Sequence, residues 1–203
     1  MNITLDGFMA GPDHELDWHF NYWNEEMAAC ASEQLADADT ILLGRITYNA
    51  MAKYWPFIGR DLCYPREDIA FADMMNNHRK IVFSGTLKKV GWNNTKLEKQ
   101  NNRNRIVQLK KQPGKNIIIY GSGSIVSALM KWELIDEYIL WIHPVILGKG
   151  RQLFSGVLNY GSLQPAGTKV FSSGVVLLCY RPERKILLKR LSKNSKGQTV
   201  NGI

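Results

Sequence analysis

Cysteine is scarce in this chain of 203 residues, with only Cys30, Cys63 and Cys179. An odd number at wide spacing supports neither a disulfide framework nor a Cys-x-x-Cys metal or redox motif, so three ordinary thiols in a reducing compartment are expected. No apolar run approaches the ~18–20 residues needed to span a bilayer. The opening MNITLDGFMAG has no basic stretch followed by an apolar one, so no secretory signal is expected and the protein is read as cytoplasmic. A nucleophile elbow, a P-loop and the spaced three-glycine dinucleotide fingerprint are all missing. What is present is ordinary for a globular protein: 45% hydrophobic and 22% charged residues, which excludes disordered and collagen-like classes. The length fits one domain, taken as 1–182, with a basic and partly disordered tail over 183–203.

The net charge of +8 suggests a polyanion partner until it is divided along the chain. Residues 1–95 carry 8 basic and 13 acidic groups (−5), and 96–115 carry 7 and 1 (+6). Residues 116–182 carry 5 and 3 (+2), and 183–203 carry 6 and 1 (+5). The excess therefore sits in one short stretch and the tail, without the basic face or binding motif that nucleic acid requires. No nucleic-acid partner is expected.

Hydrophobic periodicity alternates between helix and strand. Asn24 suits an N-cap, and helical spacing runs on to Asp37. The apolar run Thr40-Ile-Leu-Leu43 then reads as a strand buried on both faces. A short helix over Thr47 to Tyr54 stops before Trp55-Pro56. The unit recurs as helix Arg66 to His78 with strand Lys80 to Ser84, then as helix Arg103 to Lys111 with strand Asn116 to Tyr120. A helix from Ile125 to Trp132 and a strand from Glu137 to His143 follow. Lys169-Val-Phe-Ser and Val175 to Tyr180 flank Ser173-Gly174 as a hairpin, and Lys185-Ile-Leu-Leu-Lys189 could add an edge. This order predicts an α/β sheet, parallel in its middle with antiparallel edges.

Three strand-to-helix junctions carry phosphate-seeking chemistry. Gly121-Ser-Gly-Ser124 lets the backbone approach a ligand closely, and the helix behind it offers free N–H groups to an anion. Gly44-Arg45-Ile-Thr47 adds a guanidinium fork and a hydroxyl, and Ser84-Gly-Thr86 adds two hydroxyls. Taken singly, Ser84 and Thr86 could merely cap turns and Arg45 pair with a surface acid. Ligands of open α/β sheets sit outside the carboxyl ends of strands, so three such ends reinforce one another. The glycine-punctuated 5–17 loop with its carboxylates suits a lid over a planar substrate. His14, Asp17 and His19 lack a distal ligand set, and no metal is expected. His78 and His143 read as structural.

In order along the chain, Thr4-Leu-Asp-Gly-Phe-Met-Ala-Gly11, Leu16-Asp-Trp18, Leu42-Leu-Gly-Arg-Ile-Thr-Tyr48, Lys80-Ile-Val-Phe-Ser-Gly-Thr-Leu87, Ile119-Tyr-Gly-Ser-Gly-Ser124, Pro144-Val-Ile-Leu-Gly-Lys-Gly-Arg-Gln-Leu-Phe154 and Phe171-Ser-Ser-Gly-Val175 resemble the dihydrofolate reductase-like superfamily. More closely, they resemble the reductase domain of the bifunctional riboflavin-biosynthesis deaminase-reductases, over about residues 1–182. The resemblance implies a three-layer fold with a mostly parallel sheet and a C-terminal antiparallel hairpin, and NADPH bound across the strand ends. Gly44, Arg45 and Thr47 would hold cofactor phosphates, Ser84 and Thr86 would lie near the adenosine 2′-phosphate, and Gly121, Ser122, Gly123, Ser124 and Ile125 would cradle the pyrophosphate.

The substrate would meet Asp6 and Trp18, with Asp17, Glu25 or Glu26 as the acid. The implied activity is reduction of a planar heterocycle or ribosylaminopyrimidine, like the 5-amino-6-(5-phosphoribosylamino)uracil reductases. A dihydrofolate reductase-like activity and a nucleotide-binding protein without turnover are the alternatives. Two features depart from the pattern: Tyr120 stands where riboflavin-pathway reductases place a glutamate, and only Asn2-Ile-Thr-Leu5 remains of the first strand, as if Met1 were an internal methionine. Six Trp and the apolar run Tyr138–Ile142 suggest a homodimer.

Overall fold

A computed structural model describes residues 1–58, 66–99, 102–156 and 161–183. Cys63, the 185–189 segment and nearly all of the basic tail lie outside the described residues.

The apolar runs form the centre. β3 (Ala38–Gly44) pairs in parallel with β4 (Arg79–Phe83) and with β6 (Asn116–Ile119), and β4 pairs in parallel with β5 (Thr95–Glu98). This gives a four-stranded parallel sheet in the order β5-β4-β3-β6. Alternation along its strands splits the core. Ile41, Leu43 and Val82 point to one face, against Leu35 of α2 (Glu25–Ala36), Tyr48 of α3 (Arg45–Met51) and Met75 of α4 (Arg66–Asn77). Leu42, Ile81 and Phe83 point to the other, against α5 (Arg103–Lys111) and α6 (Gly123–Lys131). Two-sided burial is why these strands read as continuous hydrophobic runs.

A second sheet has the order β1-β7-β10-β9. β1 (Asn2–Thr4) lies parallel to β7 (Tyr138–His143), while β10 (Val176–Pro182) and β9 (Leu163–Val170) are antiparallel. A small ladder joins β2 (Phe8–Ala10) to β8 (Arg151–Gln152). Helices α2 and α6 straddle both sheets. α2 sends Leu35 to the parallel sheet and Met27 and Ala31 to Trp141 and Leu177, while α6 sends Ile125 to the first and Val126 to Ile3 and Leu140. Between β6 and β7 lies a cavity of about 780 Å³, bordered by Ile117, Ile119, Tyr138 and Leu140.

The α/β class with parallel strands and a terminal antiparallel pair holds, but the strands divide between two sheets rather than one. Sequence periodicity missed β2, β5, β8 and the single-turn α1 (Asp17–Phe20), all too short for a pattern to register. The terminal hairpin is longer than expected, because β9 begins at Leu163 and is exposed throughout, leaving no apolar alternation to read. The Tyr138–Ile142 run invoked for dimerisation is an internal strand, flanked by β1 and β10.

Candidate functional site

The parallel register puts the carboxyl ends of β3, β4 and β6 at one level: Gly44 is opposite Phe83, and Leu42 opposite Ile119. The loops after these strands therefore emerge together. Two of them touch. Ser122 Oγ accepts a hydrogen bond from Gly44 N–H at 2.7 Å and lies 3.0 Å from Thr47 Oγ1. Gly121 and Ser122 have φ of +56° and +61°, turning the chain into α6. A Cβ on Gly121 would fall 2.8 Å from Thr47 Oγ1, so only glycine allows this approach without displacement. Gly123 lies under Met9 of β2, whose Cε occupies the space a Cβ would need, 2.0 Å away. The 5–17 loop thus reaches the same end of the sheet.

The first N–H groups of α6, on Gly123 and Ser124, have no carbonyl one turn behind them. Arg45 is exposed at the start of α3 and makes no ion pair among the described residues. This backbone cradle beside a free guanidinium can accept a diphosphate.

Other site residues fall out differently. Ser84 is buried, and its Oγ accepts from Thr86 N–H (3.2 Å) and Leu87 N–H (3.0 Å), capping its own turn, while Thr86 is exposed beside it. Ile125 is a core residue, 2% exposed, and its N–H already bonds Ser122 O. Asp6 is a staple. It accepts from Thr4 Oγ1 (2.6 Å) and from the N–H groups of Leu147 and Gly148, and the Thr4 hydroxyl is the first cause holding its carboxyl below the usual range. Glu26 is taken up by the far hairpin, accepting from Ser172 N–H and pairing with Lys169 at 3.6 Å. The Ser172 N–H is the main reason its pKa is lowered. Glu25 and Asp17 are exposed. No carboxylate expected as the acid is buried.

Beside Trp18 the buried titratable group is instead His143, at the end of β7 and fully enclosed. Trp18 stands edge-on to it, ring centroids 5.2 Å apart at 86°, with His19 at 6.0 Å and Tyr22 at 5.8 Å. Its Nε2 meets Asn2 Oδ1 at 3.2 Å. Burial, then the charges of His19 and the terminal amine, bring its pKa down to about 4. Nothing local in the sequence marks His143, because its environment comes from α1, more than a hundred residues away.

The family model described as the RibD C-terminal domain matches residues 1–177. The uncharacterised protein YyaP of Bacillus subtilis (strain 168) is 34% identical over 178 residues, covering 88% of this chain and 90% of that one. A candidate riboflavin biosynthesis protein from Shewanella sp. PV-4 superposes with a TM-score of 0.69 at 22% identity, covering 91% of this chain and 97% of its own. A Thermotoga maritima diaminohydroxyphosphoribosylaminopyrimidine deaminase/5-amino-6-(5-phosphoribosylamino)uracil reductase gives 0.59 at 18%, covering 89% and 54%. Enterococcus faecalis dihydrofolate reductase complexed with NADP(H) gives 0.57 at 14%, covering 90% and 94%.

Proposed function

The chain belongs to the RibD C-terminal domain family, and from that membership we propose that it is an NADPH-dependent reductase of a planar heterocycle of the ribosylaminopyrimidine class. One observation carries the reading: the Gly44–Ser122 hydrogen bond, which joins two glycine-bearing junctions at one sheet end beside Arg45. The residues fit a dinucleotide. Gly121 and Gly44 would keep side chains out of the cradle, the α6 N–H groups would face the pyrophosphate, and Arg45, Thr47 and Thr86 would lie toward the adenosine 2′-phosphate, with buried Ser84 holding the turn that carries Thr86. The NADP(H) complex of the Enterococcus neighbour and the uracil reductase activity of the Thermotoga neighbour support the same cofactor and substrate class. Bound NADPH supplies the hydride. The chain itself positions both ligands and keeps water from the Trp18–His143 side.

The domain is taken to end near residue 182, in the cytoplasm, with a second copy pairing along the exposed edge of β9 rather than through β7. A second reading, a nucleotide-binding protein without turnover, is favoured by the engagement of Glu26 with Ser172 and Lys169. NADPH oxidation in the presence of 5-amino-6-(5-phosphoribosylamino)uracil or dihydrofolate separates the two.

Titration by quenching of tryptophan fluorescence tests the cofactor. NADPH is expected to bind at least about tenfold more tightly than NADH, one charge-assisted pair being worth that much. Arg45→Ala is expected to remove the difference while leaving NADH unchanged. Equal binding of the two nucleotides by the unmodified protein overturns the reading.

A further inference from the structure

The two sheets turn toward each other edges that carry no strand among the described residues. β6 ends the parallel sheet, and the ladder of β1 on β7 begins only at Trp141, so residues 138–140 have a strand on the β10 side alone. The cavity of about 780 Å³ lies between these edges, and Ile117, Ile119, Leu129, Leu140 and Leu153 give it an apolar body. Charged residues on its border, such as Asp37, Asp39, Lys115 and Glu137, sit at or next to the amino ends of β3, β6 and β7. Buried main-chain groups are nearly always paired, and an open strand edge is a template for another strand.

Met1 already starts the absent row. Its amine donates to Ile139 O at 2.8 Å and its carbonyl accepts from Trp141 N–H at 2.9 Å, the two bonds that one residue makes in a parallel ladder. Successive residues of a strand face opposite sides, so the Ile139 N–H points the same way as its carbonyl, into the cavity. By that spacing the next rung is a residue two places before Met1, accepting from Ile139 N–H and donating to Glu137 O. The amine itself is poorly solvated, and burial brings its pKa down to about 5 against the opposing charge of Cys179. A peptide N–H in its place makes the same bond to Ile139 with no charge to desolvate.

We propose that the gap between β6 and β7 is a strand-acceptor slot, and that its occupant is an extended apolar segment joined to Met1, in line with β1 and parallel to both edges. About four residues fill it, matching the length of β6 at roughly 3.3 Å per residue. Apolar groups meet the segment on both faces, so its side chains are aliphatic and β-branched without alternation. Main-chain bonds to the two edges supply the affinity. The filled slot joins the two four-stranded sheets into one of eight, β5-β4-β3-β6-β1-β7-β10-β9. The bonds of Met1 select this occupant over the 184–203 tail, which departs from β10 on the far side of β7. The inference stands apart from the reductase reading.

The test fuses Val-Ile-Val-Ile before Met1 of the full chain and compares it with Gly-Ser-Gly-Ser by amide hydrogen exchange. The apolar extension is expected to slow exchange at Ile139 and along 117–119 at least about tenfold, one or two closed rungs being worth that much. The Gly-Ser extension is expected to leave both stretches as in the unextended chain. Val-Ile-Pro-Ile removes the N–H aimed at Glu137 O and is expected to abolish the gain. Thr-Val-Thr-Val, less apolar, serves if the first extension does not fold. No slowing with either, or failure of both to fold where the Gly-Ser form folds, overturns the proposal. Tenfold faster exchange at Ile139 on deleting 184–203 would put the tail in the slot. Protection that rises with protein concentration would put a second copy there. Either result overturns the proposal as well.

Discussion

Ser122 and His143 show how much single side chains do here. Ser122, in a left-handed conformation, takes the Gly44 N–H and so ties two loops separated by 78 positions. His143 is buried and neutral, with a consequence for acid stability. Its unfolded form binds a proton near the ordinary value of 6.5, whereas the folded form resists until about 4. The unfolded state therefore holds more protons between these values, and stability falls as pH drops through that window, by about 3 kcal/mol at its lower end. Urea unfolding at pH 7 and at pH 4.5 is expected to show a smaller loss in His143→Gln than in the unmodified protein. An identical pH slope in the two would contradict this assignment.

Among the elements, α4 has the most telling terminus. Its last turn contains no basic residue, yet Lys80, from the following strand, is fully buried and donates to the carbonyls of Met75 (2.7 Å), Asn76 (3.0 Å) and His78 (2.8 Å). Its ammonium also lies 4.6 Å from the Trp92 ring centroid. Lys80→Met would take the ammonium donor from the Met75 and His78 carbonyls, while Asn76 O keeps Asn94 Nδ2 at 3.1 Å, costing about 2–4 kcal/mol, measurable as a lower denaturant midpoint at unchanged slope.

This cap marks the border of what can be read from the chain alone. Long runs such as Ile41-Leu-Leu43 announce a strand because both faces are buried, and Asn24 announces its helix because the cap is local, accepting from Met27 N–H. In the sequence Lys80 merely opens the strand Lys80 to Ser84, and nothing local points to its carbonyl acceptors at the end of α4. The candidate site divides the same way. Glycine, serine and arginine at strand ends are legible as local chemistry. The diversion of Asp6 and Glu26 to structural work, and the enclosure of His143, depend on partners roughly 140 positions away.

For the molecule as a whole, the decisive feature is the division into two sheets. β3 is paired along both edges, whereas β7 over residues 138–140 faces the cavity on one side. Amide exchange is expected to be slower at Ile41–Leu43 than at residues 138–140, on the order of a hundredfold. Equal protection in the two stretches would mean that the cavity leaves β7 no looser than the centre of the parallel sheet.

The same division bears on the chemistry. The loops proposed to grip the nucleotide grow from the parallel sheet, while His143 belongs to the mixed one and Trp18 rests against it. Across the seam α2 and α6 pack on both, and Phe71 of α4 also touches a cluster of each. For the proposed reductase, the spacing between hydride giver and taker would therefore be an adjustable dimension, set by how these helices seat. A core change beneath α2 or α6 would then detune the proposed turnover without touching a ligand.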